Sequence, residues 1–195
     1  MGLEDRGAAM AGSVVRAARF VGVSADGIRT VSRAHALAME PRIAAFEDDH
    51  HPLFLHPGRA MLVLLRDASC VDDRILAAAA LVESEDAGLR VSAAAIRREL
   101  GDEIAGLVEA VPMPGTESLA EALVTADERV RLVALAERLD HLRHAHLRVA
   151  DKQWRVAAHA EACSIYGPVA QLTDPRLAQR YEHWCRAFGR RLERA

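Results

Sequence analysis

Val133-Ala-Leu-Ala-Glu-Arg-Leu-Asp-His-Leu-Arg143 lies inside the longest helical run of the chain, and its reading decides the fold. Val130, Val133, Leu135, Leu139 and Leu142 recur at helical spacing, which predicts a helix from about Asp127 to Val149 with a broad buried face. Outward from this run, nearly every segment has the same period, and none alternates as a strand does. The 195 residues are 51% hydrophobic but only 4% aromatic, so the core must be built from Ala, Leu and Val. That composition favours packed helices over a sandwich or barrel. The predicted fold class is therefore all-α, a single helical bundle.

Punctuation divides the chain. An Ala-rich amphipathic segment covers about Leu3 to Val21, and Ser24-Ala-Asp-Gly27 breaks it. A second helix is predicted from Ile28 to about Met39, ended by Pro41, because the residue before a proline disfavours helical backbone. Two prolines make His50 to Pro57 a loop, and Pro57 is placed to begin a helix through Leu65. Ser69 or Asp72 caps the next helix, to about Val82; Ser92 caps Ala93 to Leu100, and Gly101 stops it. Asp102 to Val111, Thr116 to Thr125 and Lys152 to Tyr166 follow. Gly167-Pro168 ends the last of these, and Asp174-Pro175 opens a final helix to about Leu192. This divides the chain into an N-terminal helical extension, residues 1–25, and one helical domain, residues 26–195.

Charge and cysteine usage exclude several classes. The net charge is −3 with both signs interspersed, so there is no basic face for nucleic acid. No apolar run reaches the roughly 18 residues of a membrane helix. The N-terminus opens with Glu4 and Asp5 and has no long apolar core, which argues against a secretory signal. Cys70, Cys163 and Cys185 are dispersed and odd in number, fitting buried or semi-buried thiols and a cytoplasmic location.

Five segments in order carry a family resemblance. Pro52-Leu-Phe-Leu-His-Pro57 is followed by Ile75-Leu-Ala-Ala-Ala-Ala-Leu81 and by Ile96-Arg-Arg-Glu-Leu-Gly-Asp-Glu-Ile-Ala-Gly-Leu-Val108. Then come Leu132 to Arg143 and Ile165-Tyr-Gly-Pro-Val-Ala170. Together they resemble the HD-type hydrolase domain of the RelA/SpoT family, a helical domain that hydrolyses (p)ppGpp at a divalent metal. The resemblance covers about Phe46 to Phe188 and implies an HD-domain-like bundle with a metal held by two histidines and two carboxylates.

The resemblance is degenerate at that site. His56 takes the position of the first ligand and Glu137 that of the last carboxylate. The central His-Asp pair falls on Val82-Glu83 or Leu81-Val82, and no histidine lies between His56 and His141. The family's phosphate-gripping basic pair falls on Glu47-Asp48, reversing two charges beside an anionic ligand. The candidate metal ligands are thus His56, Glu83 and Glu137, an incomplete set. Glu85 and Asp86 are the candidate catalytic carboxylates, and Arg143 and Tyr166 the candidate substrate contacts. His141 and His144 share a helix face with Glu137; that spacing allows a metal site, but a partly exposed stripe explains it more simply. His50 and His51 beside Asp48 and Asp49 read as an exposed polar loop.

Two functions follow as expectations. One is a degenerate HD-domain protein, its hydrolase activity lost or weakened, acting by binding a guanine-nucleotide-like ligand or a protein partner and needing no cofactor. The other is an active metal-dependent phosphohydrolase using Mn²⁺ or another divalent ion at a carboxylate-substituted site. A helical module that forms a homo-oligomer is the blander option, favoured if Leu81 and Val82 fill the old pocket.

Overall fold

The computed structural model describes residues 2–48, 50–147 and 151–194, and it is all-helical: no strand occurs among these residues. The helices are α1 (Leu3–Val21), α2 (Ala25–Ala45), α3 (His56–Val63), α4 (Asp73–Leu81), α5 (Ala93–Leu100) and α6 (Asp102–Ala110). They continue as α7 (Leu119–Thr125), α8 (Glu128–Arg143), α9 (Lys152–Glu161), α10 (Gly167–Thr173) and α11 (Pro175–Leu192). None is long and apolar enough to cross a membrane.

The boundaries follow local chemistry. The Asp72 carboxylate accepts from the Arg74 and Ile75 amides and starts α4; Ser92 accepts from the Ala95 amide and starts α5. Asp174 accepts from the Arg176 and Leu177 amides, with Pro175 in the first turn of α11. Each cap satisfies amides that an open helix end would leave unpaired.

Two prolines do not act as the sequence predicts. Pro41 lies inside α2, which runs on to Ala45. In the same turn Arg42 is buried, and its Nη1 donates back to the Ala38 carbonyl at 2.8 Å. At Gly167-Pro168 the chain also stays helical. A π turn, Ala162–Tyr166, widens the helix, and the Gly167 amide reaches the Ala162 carbonyl, while Pro168 sits in the first turn of α10, where a missing amide is tolerated. A second π turn, Leu64–Ala68, prolongs α3. The run around Val133 is shorter than the spacing predicts: α8 ends at Arg143, a short 3₁₀ turn follows, and residues 148–150 lie outside the described residues.

The core is one cluster centred on α4, whose residues from Ile75 to Leu81 are all buried. Against it pack α2, α3, α6 and α8. The helix α1 belongs to this same core rather than standing apart as an extension. Val14 and Ala18 are buried in it, and Met10 lies so close to α3 that a Cβ on Gly58 would meet its Cγ. Leu81 and Val82 are buried here too. On the far side, α11 packs on α8 and α10: Tyr181 stacks on Tyr166 and donates through its hydroxyl to the Leu135 carbonyl at 2.8 Å.

Candidate functional site

At the centre of the bundle, α3 and α8 meet through charged side chains. His56 opens α3 and is 0% exposed; Glu137, Asp140 and His141 lie on α8 and are 2%, 2% and 5% exposed. Burying ionisable groups so completely is unfavourable unless each is paired, so their partners define the site.

The His56 and His141 rings stack at 4.1 Å between centroids. His141 Nε2 lies 3.0 Å from Glu137 Oε1, the i,i+4 partner on its own helix, and 3.7 Å from Glu83 Oε1 at the end of α4. The Ser84 amide donates to Glu137 Oε1 at 3.1 Å. His56 Nδ1 is 2.8 Å from Asp140 Oδ2, and since an ionised carboxylate only accepts, this nitrogen carries the proton. His56 Nε2 is buried and without a hydrogen-bond partner, and in the neutral imidazole it is the nitrogen that carries the lone pair. His141 Nε2 likewise makes no well-aligned hydrogen bond. His56, Glu137 and His141 each offer one ligand atom, and the three atoms lie within 4.8 Å of one another.

The charges in the cluster are mutually locked. Burial by itself would raise the Glu137 carboxyl, but His141, then His56, and the Ser84 hydrogen bond outweigh it and hold the group down to about 2. Burial would lower His141, yet the facing Glu137 carboxylate raises it. Asp140 is also driven up by burial, and His56 and Arg59 together hold it well below the usual carboxylate range. Arg59 grips Asp140 through Nε at 2.9 Å and Nη2 at 3.0 Å.

The donor set fits a divalent ion. Two imidazole nitrogens and one carboxylate oxygen suit Zn²⁺, Mn²⁺ or Fe²⁺. An aspartate on the far nitrogen of a ligating histidine is the usual means of fixing its tautomer, and Asp140 does this for His56. Two features oppose an open catalytic centre. The three residues are closed to solvent, and Arg42, itself 1% exposed, places a guanidinium beside the cluster through Glu83.

The residues singled out from sequence come to the centre unequally. His56 and Glu137 face one another across it. Glu83 adjoins them, but its oxygens are occupied: Oε2 takes Arg42 Nη2 at 2.6 Å, while Oε1 takes the Glu85 and Asp86 amides at 2.8 and 3.2 Å. Glu85 is held by Arg138 at 2.7 Å, and Asp86 caps a 3₁₀ turn through the Gly88 amide. Arg143 is turned outward and pairs with Asp67 at 2.7 Å. Tyr166 is buried beneath Arg138 and against Tyr181, in a packing position.

His141 is the correction that matters most. Glu137 and His141 of its stripe are buried while His144 is part-buried, and the His141 ring stands among His56, Glu83 and Glu137. The i+4 spacing from Glu137 was the available signal. Arg42 had none: nothing local marks an arginine as buried. Among the thiols, Cys163 is exposed rather than buried, 3.5 Å from His159 Nε2. Comparison of the chain with protein-family models and with curated proteins gives no match, so the reading of this cluster rests on its own geometry.

Proposed function

We propose that the chain is a metal-binding helical protein on an HD-type scaffold, with the hydrolase activity of that family lost or severely weakened. One observation carries the reading: His56 Nε2 is buried, unpartnered and directed by Asp140 into a group with Glu137 and His141. A bound ion would supply a fixed positive charge and a Lewis acid among these groups. His56 and His141 would donate nitrogen, Glu137 oxygen, and Asp140 would hold His56 in the ligating tautomer. Closure of the centre favours a structural or regulatory ion, because catalytic sites keep a coordination position open to substrate. The protein would then act by binding a nucleotide-like ligand or a protein partner.

A second reading, a working phosphohydrolase, is favoured by one feature. Ser84, whose amide bonds Glu137, also lines a hollow of about 270 Å³ with Glu85, Arg138 and Trp154. A substrate seated there would lie one residue from the cluster.

The test is metal content of the purified protein by elemental mass spectrometry, after reconstitution with Zn²⁺ or Mn²⁺, together with a guanosine tetraphosphate hydrolysis assay. The expectation is one tightly held equivalent, lost in His56→Ala and His141→Ala, and no hydrolysis above those variants. Absence of saturable binding would end the metal reading. Metal-dependent turnover abolished by Glu137→Gln would replace the first reading with the second.

A further inference from the structure

Beside the cluster, and touching it only through Asp140, lies an open cleft of about 400 Å³ between α3, its π turn, α8 and α11. Four arginines line it: Arg59 from α3, Arg66 from the π turn, Arg143 from the end of α8 and Arg180 from α11. Among the described residues that line it there are two carboxylates, Asp67 and Asp140, and both are already committed. Asp67, 8% exposed, takes Arg143 on Oδ2 at 2.7 Å and Arg180 on Oδ1 at 2.9 Å. Asp140 takes Arg59 and His56. Four guanidinium groups against two carboxylates leave two positive charges in excess, in a chain whose overall charge is −3.

Arginine itself carries no weight here, since Lys152 is the only lysine in the chain. The placement does. Arg66 makes no hydrogen bond or ion pair among the described residues. Arg143 and Arg180 each spend one donor on Asp67, of the five a guanidinium presents. Guanidinium forks with donors to spare along one cleft, two of them paired on Asp67, match the oxygens of a phosphoryl group. The buried Asp67 keeps Arg143 and Arg180 side by side, which a flexible surface cluster would not.

We propose that this cleft binds a small phosphate-bearing dianion, and that its occupancy is felt at the metal cluster through Arg59, Asp140 and His56. An anion that draws Arg59 toward itself loosens its grip on Asp140, whose charge then bears more fully on His56. Because such coupling is reciprocal, the ion and the anion alter each other's affinity by one factor. The anion site stands on the cleft alone; the coupling rests on the metal reading.

The two are separable by experiment. Calorimetric titration of chelator-treated protein with inorganic phosphate and with phenyl phosphate, at low salt, tests the cleft. Saturable binding is expected, weakened about tenfold by Arg66→Ala or Arg180→Gln and unchanged by Arg29→Ala on α2. Circular dichroism confirms that the variants are folded, and Arg66, free of structural partners, is the safer of the two. No saturation, equal loss in the Arg29 control, or binding of an oligonucleotide but of neither small anion would overturn the site. Repeating the titration with Zn²⁺ present tests the coupling: a shifted phosphate affinity in the wild type that disappears in Asp140→Asn supports it. An unshifted affinity in protein shown to hold zinc refutes the coupling, whereas protein that holds no zinc refutes the metal reading and leaves the anion site standing.

Discussion

Arg42→Met tests how the charged centre is held together. Arg42 is 1% exposed, and its guanidinium donates to the Leu53 carbonyl at 3.0 Å, the Ala38 carbonyl at 2.8 Å and Glu83 Oε2 at 2.6 Å. Methionine is apolar and similar in reach, so the substitution removes the charge and its donors with limited change in packing. Glu83 would be left as a buried anion with only the Glu85 and Asp86 amides on its other oxygen. Breaking a buried pair by deleting one partner costs about 3–5 kcal/mol. For a chain of this size that is a fall in Tm of roughly 6–20 °C. Neutralising the stranded partner in Arg42→Met/Glu83→Gln should return about half of the loss, since an uncharged amide is far cheaper to bury. Removal of the guanidinium also frees a carboxylate beside His141. Zn²⁺ should therefore bind the single variant at least tenfold more tightly than the wild type, roughly 1.4 kcal/mol. Zinc at a hundred times its Kd would restore about 2.7 kcal/mol. Urea unfolding followed by circular dichroism, with and without zinc, reads all of this. A loss below about 1 kcal/mol in Arg42→Met, or no recovery in the double variant, would show that the pair does not hold the centre.

Two further outcomes are expected. A Cβ at Gly58 would lie 2.2 Å from Met10 Cγ, so Gly58→Ala should cost about 1–3 kcal/mol by overpacking, and Met10→Ala should relieve it; additive losses in the double variant would separate α1 from α3. His35, 4% exposed, is lowered from 6.5 to about 4 by burial and then by Arg42. The unfolded chain takes up that proton at a higher pH than the folded one. The stability is therefore intact above pH 6.5 and is lost as the pH falls toward 4, on the order of 3 kcal/mol in all. His35→Leu should flatten the stability curve in that window, and parallel curves for the two proteins would refute the assignment.

The sequence carried the helices where the signal was local. The caps at Asp72, Ser92 and Asp174 lie where a side chain meets its own backbone two or three residues on. It misled at Pro41 and Pro168, because a proline's effect depends on its tertiary setting: a helix packed into the core in one case, a π turn in the other. The candidate site was half legible. His56 and Glu137 were placed by order along the chain, and His141 was visible at the right spacing. Spacing, however, says which residues are neighbours, not which face turns inward. That Glu83 would be claimed by Arg42, 41 residues away, is a fact of three-dimensional packing alone.

The arrangement of the cluster has a mechanical consequence. Glu137 and His141 stand one turn apart on α8, so two of three ligand atoms come from one rigid element, and only His56 comes from elsewhere. An ion held by all three would act as a cross-link, tying the start of α3 to α8 and closing a long loop of chain, much as a disulfide does. Backbone amides of α3 and α8 would then exchange with solvent together, and removing the metal would unfasten the two helices at a single point.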